Sequence, residues 1–373
     1  MARAPAVQEI EELPEADRLA DFPHPRHTHA LFGHKVAESL LAEAFAGGRM
    51  HHGWLLAGRE GIGKATLAYR LARHALARPE ERDLLGHSLD VSEDAPAARQ
   101  VAALSHPGLL LLRRPYDSKA KRFAASIPID EVRRLRSFLG LTAGEGAWRV
   151  VLVDSADELN PSAANALLKS LEEPPARALF LLISSSPGQL LSTIRSRCRR
   201  LDLEPLAGAA LRQATQAALT AADMDAPDAA QWASLERLAE GSVRRALQLA
   251  TGGGLELSEK VEAILARLPK IDWTALHAFS DTFGSSAREP RFEAFHALLL
   301  DALARLMRVR STGRGDPAEL ALASQLIPDG RLPAWAALWE TLLRDKADAD
   351  LLNLERKALI LRAIAGLEAV ARA

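Results

Sequence analysis

Gly58–Ala65, with the sequence GREGIGKA, decides the fold of this chain. The stretch matches the phosphate-loop pattern G-x-x-x-x-G-K, follows the apolar run Trp54–Ala57 and opens a predicted helix over Ala65–Ala77. Glycines in such a loop let backbone N–H groups turn toward phosphates, and the helix N-terminus adds a favourable dipole. The sequence therefore predicts a phosphate-loop domain. The residues expected to contact the phosphates are Gly58, Gly61, Gly63 and Lys64.

The position after Lys64 departs from this pattern. Ala65 stands where a serine or threonine hydroxyl normally meets the magnesium ion. Thr66 or a water molecule is the available substitute in the loop. We therefore expect ATP binding to be weak or absent, and magnesium to bind only together with a nucleotide.

A second element of the site follows another apolar run. The predicted strand Val150–Val153 is followed by Asp154, which therefore lies at the end of the predicted sheet. A carboxylate at that position can orient magnesium-bound water. The next residue in a working ATPase of this organisation is commonly a glutamate that activates the attacking water, and here it is Ser155. With Ala65 and Ser155 together, two contributions to hydrolysis are missing. The pattern indicates a component of a larger machine rather than a motor.

The composition of the chain limits which partners it can attract and in which cellular compartment we expect it. The chain has 373 residues, and 47 Lys and Arg balance 48 Asp and Glu, so bulk charge does not attract nucleic acid or membrane. Any DNA contact must come from a local patch. Cys198 is the single cysteine, which excludes an internal disulfide and a multi-cysteine zinc site. Without a signal peptide or a spanning apolar run, the expected location is the cytoplasm.

The first 30 residues are predicted to be a flexible N-terminal arm, because acidic residues are followed by Pro23 and Pro25. The segment also brings four histidines close together in sequence. They lie among prolines without a carboxylate at helical spacing, so we expect no metal site. These histidines are His24, His27, His29 and His34.

Residues 31–204 alternate short apolar runs with amphipathic stretches, which predicts an α/β domain with a parallel sheet covered by helices. The expected strands are Trp54–Ala57, Leu109–Leu112, Val150–Val153 and Leu179–Ile183. Asn160 and Pro161 are typical of a helix start. A further helix from Ile129 has an apolar face, and three arginines point away from that face, which is interpreted as solvated. These arginines are Arg133, Arg134 and Arg136.

After Pro205 the strand signals cease, and alanine and leucine recur at helical spacing. Gly252–Gly254 is the clearest break, so we predict a small helical lid at 205–252 and a helical collar domain for oligomerisation at 253–373. The last helix carries Ile360, Ile364 and Leu367 on one stripe, which we expect to pack within the chain. The fold class is therefore α/β followed by all-α.

Two further motifs identify a family. Leu167–Pro175 (LLKSLEEPP) and Ile194–Cys198 (IRSRC) resemble the AAA+ clamp loaders. From about residue 22 onward the whole chain is similar to the delta-prime subunit family of bacterial DNA polymerase III. The resemblance implies a subunit of a ring-like assembly that places the sliding clamp on primed DNA. The implied partners are gamma/tau-type ATPase subunits, the delta subunit, the clamp and DNA.

The resemblance also implies roles for two arginines. Arg197 would act in trans as a finger in the ATP site of an adjacent subunit, where it would stabilise charge on the transferred phosphoryl group. Arg244, in Gly241–Arg244 (GSVR), would face the chain's own nucleotide as a second sensor. Many relatives carry a four-cysteine zinc module, whereas residues 78–105 contain no cysteine, so zinc is not expected.

Two other functions remain open at this stage. The chain could be an autonomous AAA+ ATPase of the helicase or remodelling type, which predicts turnover that Lys64→Ala abolishes. It could also be a DNA-binding adaptor whose clustered arginines hold phosphates, which predicts salt-sensitive binding without partner subunits. Those arginines are Arg195, Arg197, Arg199 and Arg200.

Overall fold

The computed structural model describes residues 14–19, 21–82, 88–140, 147–283, 289–352 and 355–372. Contacts between residues divide the chain into two units. The first comprises Met1–Asp228 and Glu236–Leu247, and the second comprises Ala229–Leu235 and Gln248–Ala373. Within the described ranges, no helix is long and apolar enough to cross a membrane.

The first unit is built on a five-stranded parallel sheet. Its strands are β1 (Gly53–Ala57), β2 (Leu109–Leu112), β5 (Arg149–Val153), β6 (Ala178–Ser184) and β7 (Arg199–Asp202). Their order across the sheet is β2-β5-β6-β1-β7. A separate antiparallel hairpin joins β3 (Tyr116–Asp117) to β4 (Arg122–Phe123). The four strands predicted from apolar runs are confirmed, with bounds that differ by at most one residue.

Helices cover both faces of the sheet. Along β5, Val150 and Leu152 belong to one apolar core, whereas Val151 and Val153 belong to the other. This alternation follows from the two-residue period of a strand, and it explains why strands covered on both faces read as continuous apolar runs. The first unit contains α1 (Lys35–Ala46), α2 (Lys64–Leu76), α3 (Pro96–Ala102), α4 (Ile129–Gly140), α5 (Pro161–Glu172), α6 (Ser192–Arg195) and α7 (Gly208–Ala221).

Local sequence signals account for the start of α5 and for the exposed face of α4. The Asn160 side chain accepts a hydrogen bond from Ala163 N at 2.8 Å, and Pro161 is the first residue of α5, as predicted. On α4, the predicted solvated face is also confirmed. Arg133 and Arg134 are exposed and pair with carboxylates three residues earlier on the same helix.

Strand β7 was not predicted from the sequence. Its four residues, Arg199–Asp202, are mostly charged and exposed, whereas the predicted strands are apolar. It lies at the edge of the sheet and pairs only with β1, for example Leu56 with Leu201. An edge strand has one unpaired side that tolerates charge, so the apolar-run criterion cannot detect it.

The second unit is helical throughout its described residues. The boundaries between the units fall within α8 (Ala229–Ala239) and α9 (Val243–Ala250). The other helices are α10 (Gly254–Arg267), α11 (Trp273–Asp281), α12 (Glu289–Thr312), α13 (Pro317–Leu326), α14 (Leu332–Leu352) and α15 (Arg356–Arg372). Ile360, Ile364 and Leu367 of α15 are buried in the core of this unit, which confirms the expected packing within the chain. The predicted limits of the lid and collar stay predictions.

The N-terminal segment differs from the predicted flexible arm over its described part, residues 14–19 and 21–30. Phe22 and His24 are buried, and Glu15 pairs with Arg26 at 2.6 Å and with Arg113 at 2.7 Å. The arm prediction was wrong for these residues, because their carboxylates have arginine partners that lie far away in sequence. Residues 1–13 of the predicted arm lie outside the described residues.

Candidate nucleotide-binding site

The phosphate loop has the backbone that its glycines predict. Gly58, Gly61 and Gly63 have φ values of 146°, 75° and 108°, which are favourable for glycine but strained for other residues. The loop runs from the end of β1 to α2, and Gly63 caps the N-terminus of that helix. The structure therefore brings the predicted glycines together at the carboxyl end of the sheet. Ala65, on the first turn of α2, offers no hydroxyl there.

Lys64 is held inside the loop by neutral acceptors. Its Nζ donates hydrogen bonds to the carbonyl oxygens of Gly58 at 2.7 Å and Arg59 at 2.5 Å, and to Ser185 Oγ at 3.0 Å. The residue is 4% exposed, and burial lowers the pKa of its ammonium to about 8. A phosphate that bound Lys64 would have to replace these acceptors, but it would also supply the charge that the buried ammonium lacks.

The carboxyl group of Asp154 lies at the end of β5 and is in contact with that of Asp17. The two carboxyl groups are close enough to form a hydrogen bond once one of them is protonated, although Asp17 belongs to the N-terminal segment. Burial, followed by the charge of Asp17, raises the pKa of Asp154 to about 8. Burial also works against the charged form of Asp17, but His24 and Arg113 outweigh it and lower the pKa of Asp17 to about 2. The opposite shifts favour a protonated Asp154 beside an ionised Asp17.

This arrangement predicts how stability depends on pH. The pKa of Asp154 is raised above its usual value of 3.8, so the folded chain binds a proton that the unfolded chain has released. The resulting stabilisation is complete below pH 4 and is lost as the pH rises toward 8. Asp154→Asn mimics the protonated form. We expect its melting temperature to match the parent near pH 4 and to exceed it by about 10 °C at pH 8.

The measurement is thermal unfolding of both chains between pH 4 and pH 8, in steps of one pH unit. Asp157→Asn is the control, because it removes a nearby carboxylate that accepts a hydrogen bond from Ser185 N at 3.2 Å and does not contact Asp17. A constant difference between Asp154→Asn and the parent across this range would show that Asp154 is ionised in the folded chain.

The carboxylates after Asp154 do not replace the missing glutamate. Ser155 has a left-handed backbone with φ of 58°. Asp157 accepts the hydrogen bond from Ser185, and Glu158 pairs with Arg114 at 2.7 Å. Both groups are thus engaged by the protein itself, as expected for residues at a turn beyond the strand.

Residues Glu240–Arg244, which lead into α9, contact the phosphate loop directly. Ser242 Oγ donates to the carbonyl oxygen of Glu60 at 2.8 Å, and Val243 N donates to that of Gly61 at 2.9 Å. A side chain on Gly61 would clash, because its Cβ would lie 2.4 Å from the Cβ of Arg244. We call this set of contacts the loop latch. Two ion pairs reinforce it, Arg59 with Glu240 and Arg244 with Glu60.

A cavity of about 570 Å³ lies beside the loop, within the first unit. Predicted site residues on its wall are Gly61, Gly63, Lys64, Ala65, Thr66, Asp154 and Arg244. The N-terminal segment also lines the cavity, with Asp17, Phe22 and Thr28, and α9 contributes Leu247. Gly58 is part of the loop but is not among the residues that line this cavity. The volume falls within the usual range for a small-molecule site.

Sequence reasoning missed Asp17 and His34 as parts of this site. His34 Nε2 donates to the carbonyl oxygen of Ile62 at 2.7 Å and so braces the phosphate loop from the residue before α1. Asp17 was assigned to a flexible arm. A carboxylate or a histidine far away in sequence carries no local signal of a contact with the loop, so no sequence pattern could have identified either residue.

The chain's residues fit a nucleotide better than a magnesium ion. The cavity has the volume, the glycine loop has the backbone, and Lys64 and Arg244 provide positive charge. For magnesium the donor set is short, because Ala65 has no side-chain oxygen and the raised pKa of Asp154 favours its protonated form. Within the described ranges, no group of three or more His, Cys, Asp or Glu residues is placed to hold a metal ion.

Arg197 lies elsewhere on the first unit. Its side chain, 35% exposed, pairs with Glu172 at 2.7 Å and donates to the Thr193 carbonyl oxygen at 3.0 Å. It is absent from the described residues that line the cavity. The neighbouring Cys198 is buried, and burial raises the pKa of its thiol to about 11, so this cysteine is a packing residue. Arg197 is therefore available at the surface rather than at the chain's own nucleotide cavity.

Comparison with known proteins identifies chains similar to this one. A family model described as DNA polymerase III, delta subunit, matches residues 33–207. The delta' subunit of DNA polymerase III from Escherichia coli K12 is 32% identical over 269 residues, which cover 71% of this chain and 73% of that protein. The delta' subunit from Pseudomonas aeruginosa is 41% identical over 167 residues, 44% of this chain and 47% of that protein.

More distant similarities were also found. The tau subunit of DNA polymerase III from Escherichia coli K12 is 30% identical over 242 residues, 63% of this chain and 35% of that protein. A crystal structure of a gamma subunit-related protein from Thermotoga maritima covers 89% of this chain and 100% of its own, at 18% identity and a TM-score of 0.42. The extent of the match to the Escherichia coli delta' subunit decides the family. This chain belongs to the delta' subunit family of DNA polymerase III.

Proposed function

We propose that this chain is a subunit of a clamp loader, the assembly that places a sliding clamp on primed DNA, and that it acts there without hydrolysing ATP itself. The single observation that supports this best is the state of its own nucleotide site. Ala65 lacks the hydroxyl, and burial beside the Asp17 carboxyl group raises the pKa of Asp154 and favours its protonated form where a free carboxylate would be needed. Its partners are gamma/tau-type ATPase subunits, the delta subunit, the clamp and DNA, all in the cytoplasm.

In this proposal the catalytic contribution of the chain is Arg197. An arginine that contacts a neighbouring subunit's nucleotide stabilises charge that develops on the transferred phosphoryl group. The observed exposure of Arg197 supports the assignment, because a finger must leave its own subunit. The pair with Glu172 is a surface ion pair, which is worth about 0–1 kcal/mol and is readily exchanged for phosphate oxygens.

The first unit can bind a nucleotide without turning it over. Lys64 and the glycine loop would hold the phosphates, and the cavity beside them would hold the nucleoside. When bound, the nucleotide would supply negative charge to the buried ammonium of Lys64, which has only neutral acceptors at present. The role of such a nucleotide would be structural, because Ser155 stands where a glutamate commonly activates the attacking water.

Single-turnover ATP hydrolysis by the purified chain, in magnesium, is the test of this proposal. We expect no hydrolysis above background, and we expect Lys64→Ala to weaken any nucleotide binding at least tenfold in a parallel equilibrium titration, because the loop then loses its ammonium. Ala65→Thr is the companion variant, expected to make binding depend more strongly on magnesium. Lys64-dependent hydrolysis by the unmodified chain would instead establish an autonomous ATPase.

The adaptor function has less support from the structure. Of the arginines assigned to it, Arg197 pairs with Glu172 and Arg200 pairs with Asp202 at 2.7 Å. Arg199 lies over the ring of Trp54, with its Cζ 5.1 Å from the ring centroid. Three of the four arginines therefore have partners within the chain, which DNA phosphates would have to replace.

A further inference from the structure

The hairpin of β3 and β4, residues Tyr116–Phe123, lies between β2 and α4 and is held by specific side-chain and backbone contacts. The rings of Tyr116 and Phe123 meet edge to face, with centroids 5.2 Å apart. Arg114 lies over the ring of Phe123, and Ala124 N donates to the Pro115 carbonyl oxygen at 2.9 Å. These contacts fix the stem of the hairpin, although each strand is only two residues long.

The base of the hairpin is anchored to the body of the first unit. Arg114 pairs with Glu158, and Ile127 N donates to the carbonyl oxygen of the same Glu158 at 2.8 Å. Asn160 N donates to the Ile127 carbonyl oxygen at 3.2 Å, so the chain after the hairpin is tied to the start of α5. The hairpin therefore leaves from the carboxyl end of the sheet, the same end that carries the phosphate loop.

The tip of the hairpin is held in one conformation. Asp117 Oδ1 accepts hydrogen bonds from Lys119 N at 2.9 Å and Ala120 N at 3.0 Å, which fixes the turn in the manner of an Asx turn. Lys121 completes the reversal with a left-handed backbone, at φ of 49°. A fixed turn presents its side chains in a constant arrangement, and a partner that binds them need not order the backbone.

Three cations occupy this tip, Lys119, Lys121 and Arg122, and all three are exposed. Within residues 116–123 a single carboxylate, Asp117, opposes them, and two of its hydrogen bonds already go to backbone N–H groups. No described carboxylate forms an ion pair with Lys119 or Lys121. The tip is thus a local positive patch on a chain whose total charge is close to zero.

Because the chain as a whole is nearly neutral, contact with a polyanion requires a local positive patch of this kind. In the arginine cluster at residues 195–200, Arg199 lies over the ring of Trp54 and Arg200 pairs with Asp202, and Arg197 is assigned to the nucleotide site of a neighbouring subunit. The lysines at the hairpin tip form no ion pair with a described carboxylate, so a phosphate that bound them would not have to displace one. Lysine ammonium groups neutralise phosphates as point charges and release counterions, without reading base sequence.

We propose that Lys119, Lys121 and Arg122 at the hairpin tip contact the phosphate backbone of DNA, independently of sequence. The choice of DNA over another polyanion rests on the proposed function as a clamp-loader subunit. The alternative, an acidic surface of a partner protein, is a separate outcome of the test below.

The test compares two triple variants of the full-length chain. Lys119→Ser/Lys121→Ser/Arg122→Ser removes the patch, and Lys260→Ser/Lys270→Ser/Arg314→Ser removes the same charge from exposed positions of the helical unit. Affinity for a fluorescent primed DNA is measured by anisotropy at several salt concentrations, with the chain alone and with its partner subunits. We expect the hairpin variant to lose about tenfold in affinity and its log–log salt slope to fall by about 2 to 3, as for lost phosphate contacts.

A positive readout uses the chain's single cysteine. Cys198 is buried, so after Cys198→Ala, a cysteine at exposed position 120 (Ala120→Cys) carries a thiol-reactive photocrosslinker at the tip. We expect it to crosslink to DNA, whereas the same probe after Ala263→Cys, on exposed α10, should not. Equal affinity and salt slope for the two triple variants would overturn the proposal.

The outcomes also separate this proposal from the proposed function. If the chain does not assemble with the partner subunits, the proposed function fails, and the measurement on the chain alone at low salt still decides the hairpin contact. If the hairpin variant loses assembly while its DNA affinity and salt slope stay unchanged, the tip binds an acidic protein surface and the DNA contact is refuted.

Discussion

Replacing Arg197 with alanine is expected to slow ATP hydrolysis by an adjacent ATPase subunit about 10³-fold at that one site, the lower end of what arginine fingers contribute. The guanidinium would no longer stabilise charge on the phosphoryl group in the transition state, whereas nucleotide binding by the neighbour would change far less. The rate is measured in the assembled complex as single-turnover phosphate release, so that loss at one site is resolved from turnover at the others.

Arg200→Ala is the matched control for this experiment. Arg200 is an exposed arginine three residues away, and its partner Asp202 lies two residues further along β7. The Arg200→Ala variant removes the same charge but leaves the proposed finger in place. We expect its rate of ATP hydrolysis in the complex to stay within twofold of the parent rate. Assembly is verified for both variants by gel filtration. If both complexes keep the parent rate, Arg197 is not the finger, even though the chain belongs to the family.

Gly61→Ala is expected to lower the melting temperature of the chain by about 10 °C, because it costs about 3 kcal/mol. One part of this cost is the left-handed backbone, at φ of 75°, where a Cβ costs about 1 to 2 kcal/mol. The other part is the loop latch, since the new methyl would lie 2.4 Å from Arg244 Cβ and 2.5 Å from Ser242 Oγ. The contacts between Glu240–Arg244 and the phosphate loop would have to open.

Gly48→Ala separates these two costs. Gly48 also has a left-handed backbone, at φ of 63°, but no heavy atom lies within 4 Å of the position its Cβ would take. We expect this control to lose only about 2 to 4 °C. Thermal unfolding without nucleotide is the measurement for both variants. Equal losses would mean that the latch contributes nothing to stability.

The sheet could be predicted because its strands are covered on both faces. Val150–Val153 and Leu179–Ile183 are continuous apolar runs of strand length, and the structure buries them in the centre of the sheet. The same reasoning missed β7, whose charged residues lie at an edge. Asn160 and Pro161 likewise identified the start of α5, because capping is a contact between neighbours in sequence.

The candidate site was predicted only in part. The glycine pattern and Lys64 were identified, since a phosphate loop is one continuous segment whose spacing carries its chemistry. The roles of Arg197 and Arg244 stay predictions, because they depend on a neighbouring subunit and on a bound nucleotide. The N-terminal segment was taken for a loose arm, because nothing near it in sequence showed what its carboxylates would meet.

The sequence by itself determined the phosphate loop, the buried strands, the helical second half and the missing hydroxyl at Ala65. Only the tertiary structure decided the state of that loop. Ser242 reaches the Glu60 carbonyl oxygen across 182 residues, and Asp17 reaches Asp154 from the N-terminal segment. The physical reason is that local sequence signals come from backbone propensity and periodicity. The contact of Asp17 with Asp154 and the contact of Ser242 with the phosphate loop depend instead on which distant groups the packed core brings within hydrogen-bonding distance.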